Sequence, residues 1–148
     1  MSNSFVKNDI HIVFHTKSKA TVIPEGDLER VLEYIGGIVK SMGATLYVIG
    51  GRPDHVHMLV SLPKTISLSE LVRTVKANSS KWIKSLHPYY GGFCWQDGYG
   101  AFSVSASMIQ PTIDYIRNQE EHHRVKTFRE ELRAILDKCG IEYDERYL

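Results

Sequence analysis

The spacing of apolar residues in the first third of the chain predicts a strand followed by a helix. Residues 9–16 are rich in β-branched and aromatic side chains, as strands are. Across residues 28–42 the apolar positions recur at the period of an amphipathic helix. Asp27 stands where a helix-capping residue is expected, and Gly43 stands where the helix is expected to end.

The middle of the chain predicts a hairpin and a second helix. Two strand-like runs, residues 45–49 and 55–62, are separated by the turn-forming residues 50–54, so we expect them to pair antiparallel. Ser67 and Glu70 then form a capping-box pattern. The apolar residues that follow trace the buried stripe of a long helix.

The last third predicts a loop, a short strand and two further helices. Residues 90–100 are rich in glycine, and residues 101–105 follow as a short final strand. A third helix is expected over residues 111–122, because it opens with a proline, which is favoured in the first helical turn. A second capping-box pattern at Thr127 and Glu130 predicts the start of a fourth helix.

The order of these elements indicates a ferredoxin-like fold. Strand, helix, strand, strand, helix and strand is the split βαβ pattern, in which an antiparallel sheet carries helices on one face and leaves the other face open. We therefore predict an α+β protein, a single domain over residues 1–148, with C-terminal helices appended to the sheet.

Composition narrows the class of protein only modestly. The 148 residues, 43% of them hydrophobic, suffice for one core. The sequence has no signal-peptide pattern and no apolar run long enough to cross a bilayer, so we expect a cytoplasmic protein. Cys94 and Cys139 lack the spacing of a zinc site or a disulfide framework, so we expect reduced thiols. The net charge of +1 gives no reason by itself to expect a nucleic-acid partner.

A pair of histidines on the predicted third strand is the first candidate for chemistry. Side chains alternate across a strand, so His55 and His57 share the face opposite the core residues and can converge on one metal ion. The pair alone is a weak signal, because two histidines on an exposed strand are commonly ordinary polar residues. A histidine-triad nucleotide hydrolase would need a third histidine where Leu59 stands.

The predicted third helix offers a phenol and an amide side by side. Tyr115 and Gln119 are four residues apart and are therefore expected to be neighbours on one helix face. In isolation they would be taken for a half-buried aromatic residue and a solvated polar residue. Their functional interpretation depends on the histidines.

Basic and aromatic side chains indicate how a nucleic acid could be held. The outer side of the second helix carries four basic residues that could bind phosphates, although a charged outer face is usual for any amphipathic helix. These residues are Arg73, Lys76, Lys81 and Lys84. Three aromatic residues near the glycine-rich loop could stack on unpaired bases, namely Trp95, Tyr99 and Phe102, although Trp95 could as readily fill the core.

Five ordered segments together resemble the HUH-type single-tyrosine transposases of small bacterial insertion sequences. They are HIVFHTKSK, PDHVHMLVSLP, SLSELVRTVKANSSKWIK, WQDGYGAFSVSAS and YIRNQEEHH, and they are spread over nearly the whole chain. The resemblance implies a DNA transposase that cleaves and rejoins single-stranded DNA at hairpin-bearing transposon ends. The reaction would pass through a 5′-phosphotyrosine intermediate.

The resemblance also implies a role for each candidate side chain. Tyr115 would be the nucleophile, carried on a C-terminal helix, and His55, His57 and Gln119 would hold Mg²⁺ or Mn²⁺. Manganese suits a partly nitrogen ligand set better than magnesium does. In the resembling family the tyrosine helix is donated to the partner subunit, which implies a homodimer with composite active sites.

Further DNA contacts are expected at Lys17, after the first strand, and at Arg52, in the hairpin loop. The basic residues directly after the first strand are Lys17 and Lys19, fewer than members of the resembling family often carry there. Two alternatives stay open. One is a non-catalytic nucleic-acid binding module, which would place aromatic residues on the central strands of the sheet. The other is a relative with the same chemistry, either a domesticated enzyme that processes chromosomal repeats or a replication-initiating nuclease.

Overall fold

One four-stranded antiparallel sheet forms the centre of the fold. The computed structural model describes residues 3–18 and 21–148. Its strands are β1 (Asp9–His15), β2 (Thr45–Arg52), β3 (His55–Ser61) and β4 (Gly100–Ser103), and they lie in the order β2-β3-β1-β4. This order, with the first and third strands in the centre, is the ferredoxin-like arrangement, and it confirms the predicted α+β class.

Helices cover the sheet in two sets. α1 (Glu25–Ser41) and α2 (Leu68–Leu86) connect strands, whereas α3 (Ile109–Arg117), α4 (Gln119–His122) and α5 (Phe128–Lys138) follow β4. Short 3-10 turns occur at Pro88–Gly92, Ala106–Met108 and Glu145–Tyr147. Within the described ranges, no helix combines the length and the apolar character that a membrane span requires.

The face of the sheet that packs against α1 and α2, here called the core face, is apolar. The strands contribute Ile12, Phe14 and Met58, and the two helices contribute Ile35 and Val75, all at most 1% exposed. Fully burying a side chain of this kind contributes about 1.5–3 kcal/mol. This layer therefore supplies most of the hydrophobic stabilisation.

The opposite face, here called the site face, is also covered, so the prediction of an open face is wrong. Helices α3 to α5 lie over it, and His55 and His57 are only 1% and 0% exposed. Phe128, Leu132 and Leu136 of α5 pack against residues of β1 and β4 in a second, smaller apolar cluster. The C-terminal helix has an apolar stripe of its own, and burial of that stripe on the sheet excludes water from the imidazoles.

The β2–β3 hairpin is tighter than its sequence suggests. β2 continues through both glycines of the predicted loop, and Arg52 pairs with His55. The turn therefore consists of Pro53 and Asp54 alone, rather than five residues. This places Asp54 directly beside the first histidine of the pair.

The start of α1 also differs from its prediction. The helix begins at Glu25, after Pro24, and no side chain caps it. Asp27 lies inside the first turn, where its carboxylate accepts hydrogen bonds from Arg30 and Tyr90. Its negative charge still favours the positive end of the helix dipole, but it is not the capping residue.

The predicted helix over residues 111–122 is divided in two. α3 begins earlier, at Ile109, and Asn118 interrupts the helix because its ψ angle of 25° departs from the helical value. Tyr115 and Gln119 therefore lie on separate helical segments rather than on one helix face. The predicted caps at Ser67 and Thr127 are confirmed, since each hydroxyl accepts a hydrogen bond from the backbone N–H three residues on.

Candidate metal and tyrosine site

The two histidines of β3 present the same ring atom to one buried space. His55 Nδ1 lies 2.7 Å from Asp54 Oδ1, and His57 Nδ1 lies 2.8 Å from Nε2 of His11 on the neighbouring strand β1. Both Nδ1 atoms are therefore engaged, and both Nε2 atoms face the space between the sheet and the C-terminal helices. Partners of this kind on the second ring nitrogen are typical of metal-binding histidines.

Gln119 closes this space from the first residue of α4. Its side chain is 2% exposed, and its Oε1 lies 2.9 Å from His55 Nε2. Its Nε2 donates to Glu131 Oε2 over 3.2 Å, which fixes the orientation of the amide because a carboxylate oxygen only accepts. The structure thus brings the Gln119 amide oxygen to His55, and its role as a metal ligand stays a prediction.

Glu131 of α5 is a member of the cluster that the sequence reasoning missed. Its Oε1 lies 2.9 Å from His57 Nε2, 3.1 Å from His123 Nε2 and 3.7 Å from His55 Nε2. One ligand atom from each of His55, His57 and Glu131 lies within 4.8 Å of the others, so the three could hold one metal ion. The sequence does contain a sign of this role, because Glu131 lies between Phe128 and Leu132 on the apolar stripe of its helix, where an acidic residue is unusual.

Tyr115 reaches the same cluster from α3. Its hydroxyl donates a hydrogen bond to Glu131 Oε2, and its ring centroid lies 5.9 Å from that of His57. The side chain is half-buried, and its hydroxyl points at polar groups rather than into the apolar interior. The phenol, the imidazoles and the amide thus converge within a single chain.

Burial disfavours the charged forms of three groups in this cluster, His11, His57 and Tyr115. Burial lowers the pKa of His11 to about 3 and also lowers the pKa of His57. Burial alone would raise the pKa of Glu131, but the hydrogen bonds and charge of His57 and the hydrogen bond from Tyr115 outweigh it and lower the pKa. Burial, followed by the bond to Glu131, raises the pKa of the Tyr115 phenol. The buried Glu131 carboxylate therefore lies beside an imidazole, that of His57, whose charged form burial disfavours.

The donor atoms around His55 fit a bound cation. Its Nδ1 faces a carboxylate oxygen and its Nε2 faces the amide oxygen of Gln119, and both oxygens are acceptors. A neutral imidazole carries one N–H and can donate to only one of them. A divalent metal between the second nitrogen and the amide oxygen would satisfy both lone pairs. Two imidazoles, an amide and a carboxylate are also suitable ligand types for Mn²⁺ or Mg²⁺.

The basic residues predicted to contact DNA fall into two separate places. Lys17 and Arg52 line a groove of about 790 Å³ beside His55, and Arg52 forms an ion pair with Glu25. Lys19 lies outside the described residues. The basic residues of α2 lie on the other side of the sheet, because that helix packs on the core face. The structure therefore does not bring Arg73, Lys76, Lys81 or Lys84 to the site.

The four basic residues of α2 also differ in exposure. Arg73, Lys81 and Lys84 are exposed, whereas the Lys76 ammonium is partly buried and donates hydrogen bonds to the carbonyl oxygens of Gln96 and Gly98. Lys76 thus fixes the glycine-rich loop to the helix. Its bonding explains why it does not project into solvent like its neighbours.

The three aromatic residues proposed for base stacking are not equally available. Trp95 is 6% exposed and donates from Nε1 to the hydroxyl of Ser79, so it belongs to the core. Phe102 is 9% exposed and packs under α5. Tyr99 is 42% exposed, which leaves it as the one ring of the three with an accessible face.

Comparison with known proteins identifies the family. The profile of the family Transposase IS200 like matches residues 4–119, and the chain therefore belongs to the IS200-like transposases, whose members cleave and transfer DNA strands. ISDra2 transposase TnpA of Deinococcus radiodurans is 21% identical over 118 residues, which cover 76% of this chain and 84% of that protein. The family match ends at Gln119, so α5 and Glu131 lie beyond it.

Solved structures share the fold. A candidate transposase of Deinococcus radiodurans R1 has a TM-score of 0.63 and 22% identity, covering 80% of this chain and 95% of that chain. A REP-associated tyrosine transposase bound to a REP hairpin has a TM-score of 0.62 and 13% identity, covering 83% of this chain and 73% of that chain. At these identities the likeness concerns the fold alone.

Proposed function

We propose that this protein is a metal-dependent transposase that cleaves and rejoins single-stranded DNA at hairpin-bearing transposon ends, with Tyr115 as the nucleophile. One observation carries the proposal: the Tyr115 hydroxyl lies in the same buried cluster as the two Nε2 atoms of β3 and the Gln119 amide oxygen. Family membership supplies the DNA chemistry, and this cluster supplies the groups to perform it.

His55, His57 and Gln119 would hold the metal, which is Mg²⁺ or Mn²⁺. When bound, the ion would offset the negative charge that develops on the scissile phosphate and the departing oxygen. The ligand set contains two nitrogen atoms, so manganese is expected to bind more tightly than magnesium.

Tyr115 would attack the phosphorus atom through its phenol oxygen. The phenol gives up its proton, the new bond joins its oxygen to the 5′ phosphate, and the bond from phosphorus to the 3′ oxygen breaks. The departing 3′ oxygen takes up one proton and leaves as a free 3′ hydroxyl, so the proton balance of the step is zero. The phosphotyrosine bond keeps the energy of the broken linkage, so a second 3′ hydroxyl can rejoin the strand without ATP. Because burial and Glu131 raise the pKa of the phenol, its activation would need a nearby cation or a base.

The groove beside His55 would hold the DNA backbone. Besides Lys17 and Arg52, it is lined by Arg124, Lys126 and Arg129 of the α4–α5 segment. Lysine and arginine side chains along such a path would neutralise phosphates. A hairpin substrate is supported by the fold neighbour that was solved with a REP hairpin. The homodimer stays a prediction, and the described chain assembles its cluster from its own residues.

The covered site face argues against a binding module that stacks bases on its sheet. Such modules expose aromatic residues on the central strands. Here the central strands carry His11, His55 and His57 on that face, beneath α3 to α5. The preferred DNA substrate would distinguish the transposase of a mobile element from a domesticated repeat-processing enzyme, since the two enzymes would prefer different hairpins.

The proposal is tested by incubating the purified protein with hairpin-bearing single-stranded DNA and Mn²⁺, including the sequences that flank its own gene. We expect a covalent protein–DNA band on a denaturing gel. Tyr115→Phe should abolish the band and leave hairpin binding unchanged, whereas the control Tyr89→Phe, which changes an exposed tyrosine, should keep the band. A wild-type protein that binds these hairpins yet never forms an adduct would favour the binding module instead.

A further inference from the structure

The carboxylate of Glu131 faces two sets of partners at once. Its Oε1 points to the Nε2 atoms of His57 and His55, at 2.9 and 3.7 Å. Its Oε2 accepts hydrogen bonds from the Tyr115 hydroxyl and from the Gln119 amide nitrogen. The side chain is only 4% exposed, although an acidic residue is almost never fully buried without partners.

The position of Glu131 on α5 makes this burial specific. Phe128 and Leu132 flank it on the apolar stripe that packs on the sheet, where a further apolar residue would be the ordinary choice. The neighbouring Glu130 is exposed and serves the helix cap. The burial of this carboxylate is therefore explained by its contacts with the histidine cluster and not by the packing of the helix.

We propose that Glu131 Oε1 is a further ligand of the metal held by His55, His57 and Gln119, and that Oε2 positions the Tyr115 hydroxyl beside that metal. This inference rests on the proposed function and adds a residue beyond the segment that the family match covers. Because a carboxylate oxygen only accepts, the 2.9 Å contact between His57 Nε2 and Glu131 Oε1 assigns the hydrogen to the imidazole nitrogen. A metal ion would replace that hydrogen and bind both atoms.

The added carboxylate would change what the site can bind. Two imidazoles and one amide are uncharged ligands, and Glu131 would add one negative charge and a second oxygen ligand. A harder, partly charged ligand set suits Mn²⁺ and Mg²⁺ better than imidazoles alone. Because the same carboxylate would hold the metal and the phenol, the nucleophile would be oriented by its own chain.

An opposite role for Glu131 is physically possible and makes the proposal testable. If the carboxylate merely accepts hydrogen bonds from the imidazoles, it competes with the metal for the same space. Removing its charge should then tighten metal binding. If the carboxylate is a ligand, removing its charge should weaken binding. The sign of the change therefore decides between the two roles.

The experiment measures Mn²⁺ affinity by calorimetry, and by the loss of the free-ion signal in electron paramagnetic resonance, at one fixed pH. Glu131→Gln should weaken binding at least about 10-fold, since even residues that only support metal ligands typically cost 10–100-fold. The matched control Glu130→Gln should bind like the wild type, because glutamine retains the capping box. Equal or tighter binding by Glu131→Gln would overturn the proposal.

A measurement on the wild type covers the case in which Glu131→Gln does not fold. Anomalous scattering from crystals grown with MnCl₂ should place the ion in bonding contact with Glu131 Oε1, His55 Nε2 and His57 Nε2. An ion bound to both imidazoles but not to Glu131 would overturn this proposal and leave the proposed function intact. A wild type that neither binds Mn²⁺ nor forms a DNA adduct would instead contradict the proposed function itself.

Discussion

The two faces of the sheet use burial for different purposes. On the core face, 20 buried residues of the described ranges form one apolar cluster, which includes side chains of α1 and α2. On the site face, the apolar cluster has five buried members among the residues that the structure describes, and His57, Gln119 and Glu131 are buried on the same face. The core face therefore supplies stability, whereas the site face gives up apolar contact area to hold reactive groups away from water.

The largest expected effect compares one truncation on each face. Ile35→Ala on the core face should cost about 2–5 kcal/mol of unfolding free energy, because it leaves a cavity in a closely packed layer. Leu132→Ala on the site face should cost about 2 kcal/mol, at the low end of that range, because the small cluster can relax. Urea unfolding measures both. Equal losses would show that the site face is a second core of the same kind.

The same pair can be compared in the adduct assay. Among folded molecules, Leu132→Ala should lower adduct yield more than Ile35→Ala does, because Leu132 packs the helix that carries Glu131 onto the sheet. The reverse order would show that α5 does not help to organise the site.

A smaller effect is expected from adding one methyl group at a glycine on each face. A Cβ at Gly50 would lie 2.6 Å from the backbone oxygen of Ile116, so α3 would have to shift. Overpacking of this kind typically costs about 1–3 kcal/mol, and we expect Gly50→Ala to lose adduct formation as well. A Cβ at Gly36 would meet only the flexible end of Leu46, so Gly36→Ala should be nearly neutral in thermal unfolding and retain adduct formation. Full adduct formation by Gly50→Ala would show that α3 can shift on the sheet without loss of activity.

The smallest effects concern the lysines of α2. Lys76→Met should cost about 1 kcal/mol, because its ammonium holds two carbonyl oxygens of the glycine-rich loop in a partly exposed setting. Lys84→Met changes an exposed side chain and should alter stability by less than about 0.5 kcal/mol. Thermal unfolding tests both. If Lys84→Met instead reduces the salt dependence of hairpin binding, the helix contacts DNA as the sequence suggested.

The sequence predicted those features that depend on local pattern. Apolar periodicity located α1 and α2, because each of these helices buries one face, and runs of apolar and β-branched residues located the strands β1 and β3. Alternation along β3 placed His55 and His57 on a common face. The resemblance then connected them to Tyr115 and Gln119, which the fold brings to the same cluster, although their roles stay predictions.

Features that depend on packing between distant segments were missed. The capping-box pattern predicted the start of α5, but nothing local shows against which surface this helix packs, so the site face was expected to be open. Glu131 was overlooked for the same reason. Asn118 favours non-helical backbone, yet whether it ends a helix depends on the contacts of the residues that follow.

The two β3 histidines contact carboxylates at very different separations along the sequence. His55 meets Asp54, its immediate neighbour, at the tight hairpin turn, whereas the contact between His57 and Glu131 joins residues 74 positions apart. Short loops close at smaller entropic cost than long ones, so the Asp54 contact can form with the hairpin alone. We therefore expect the cluster to be completed only when the C-terminal helix docks. In stopped-flow refolding, manganese capture should lag behind hairpin formation and thus report the final step of folding.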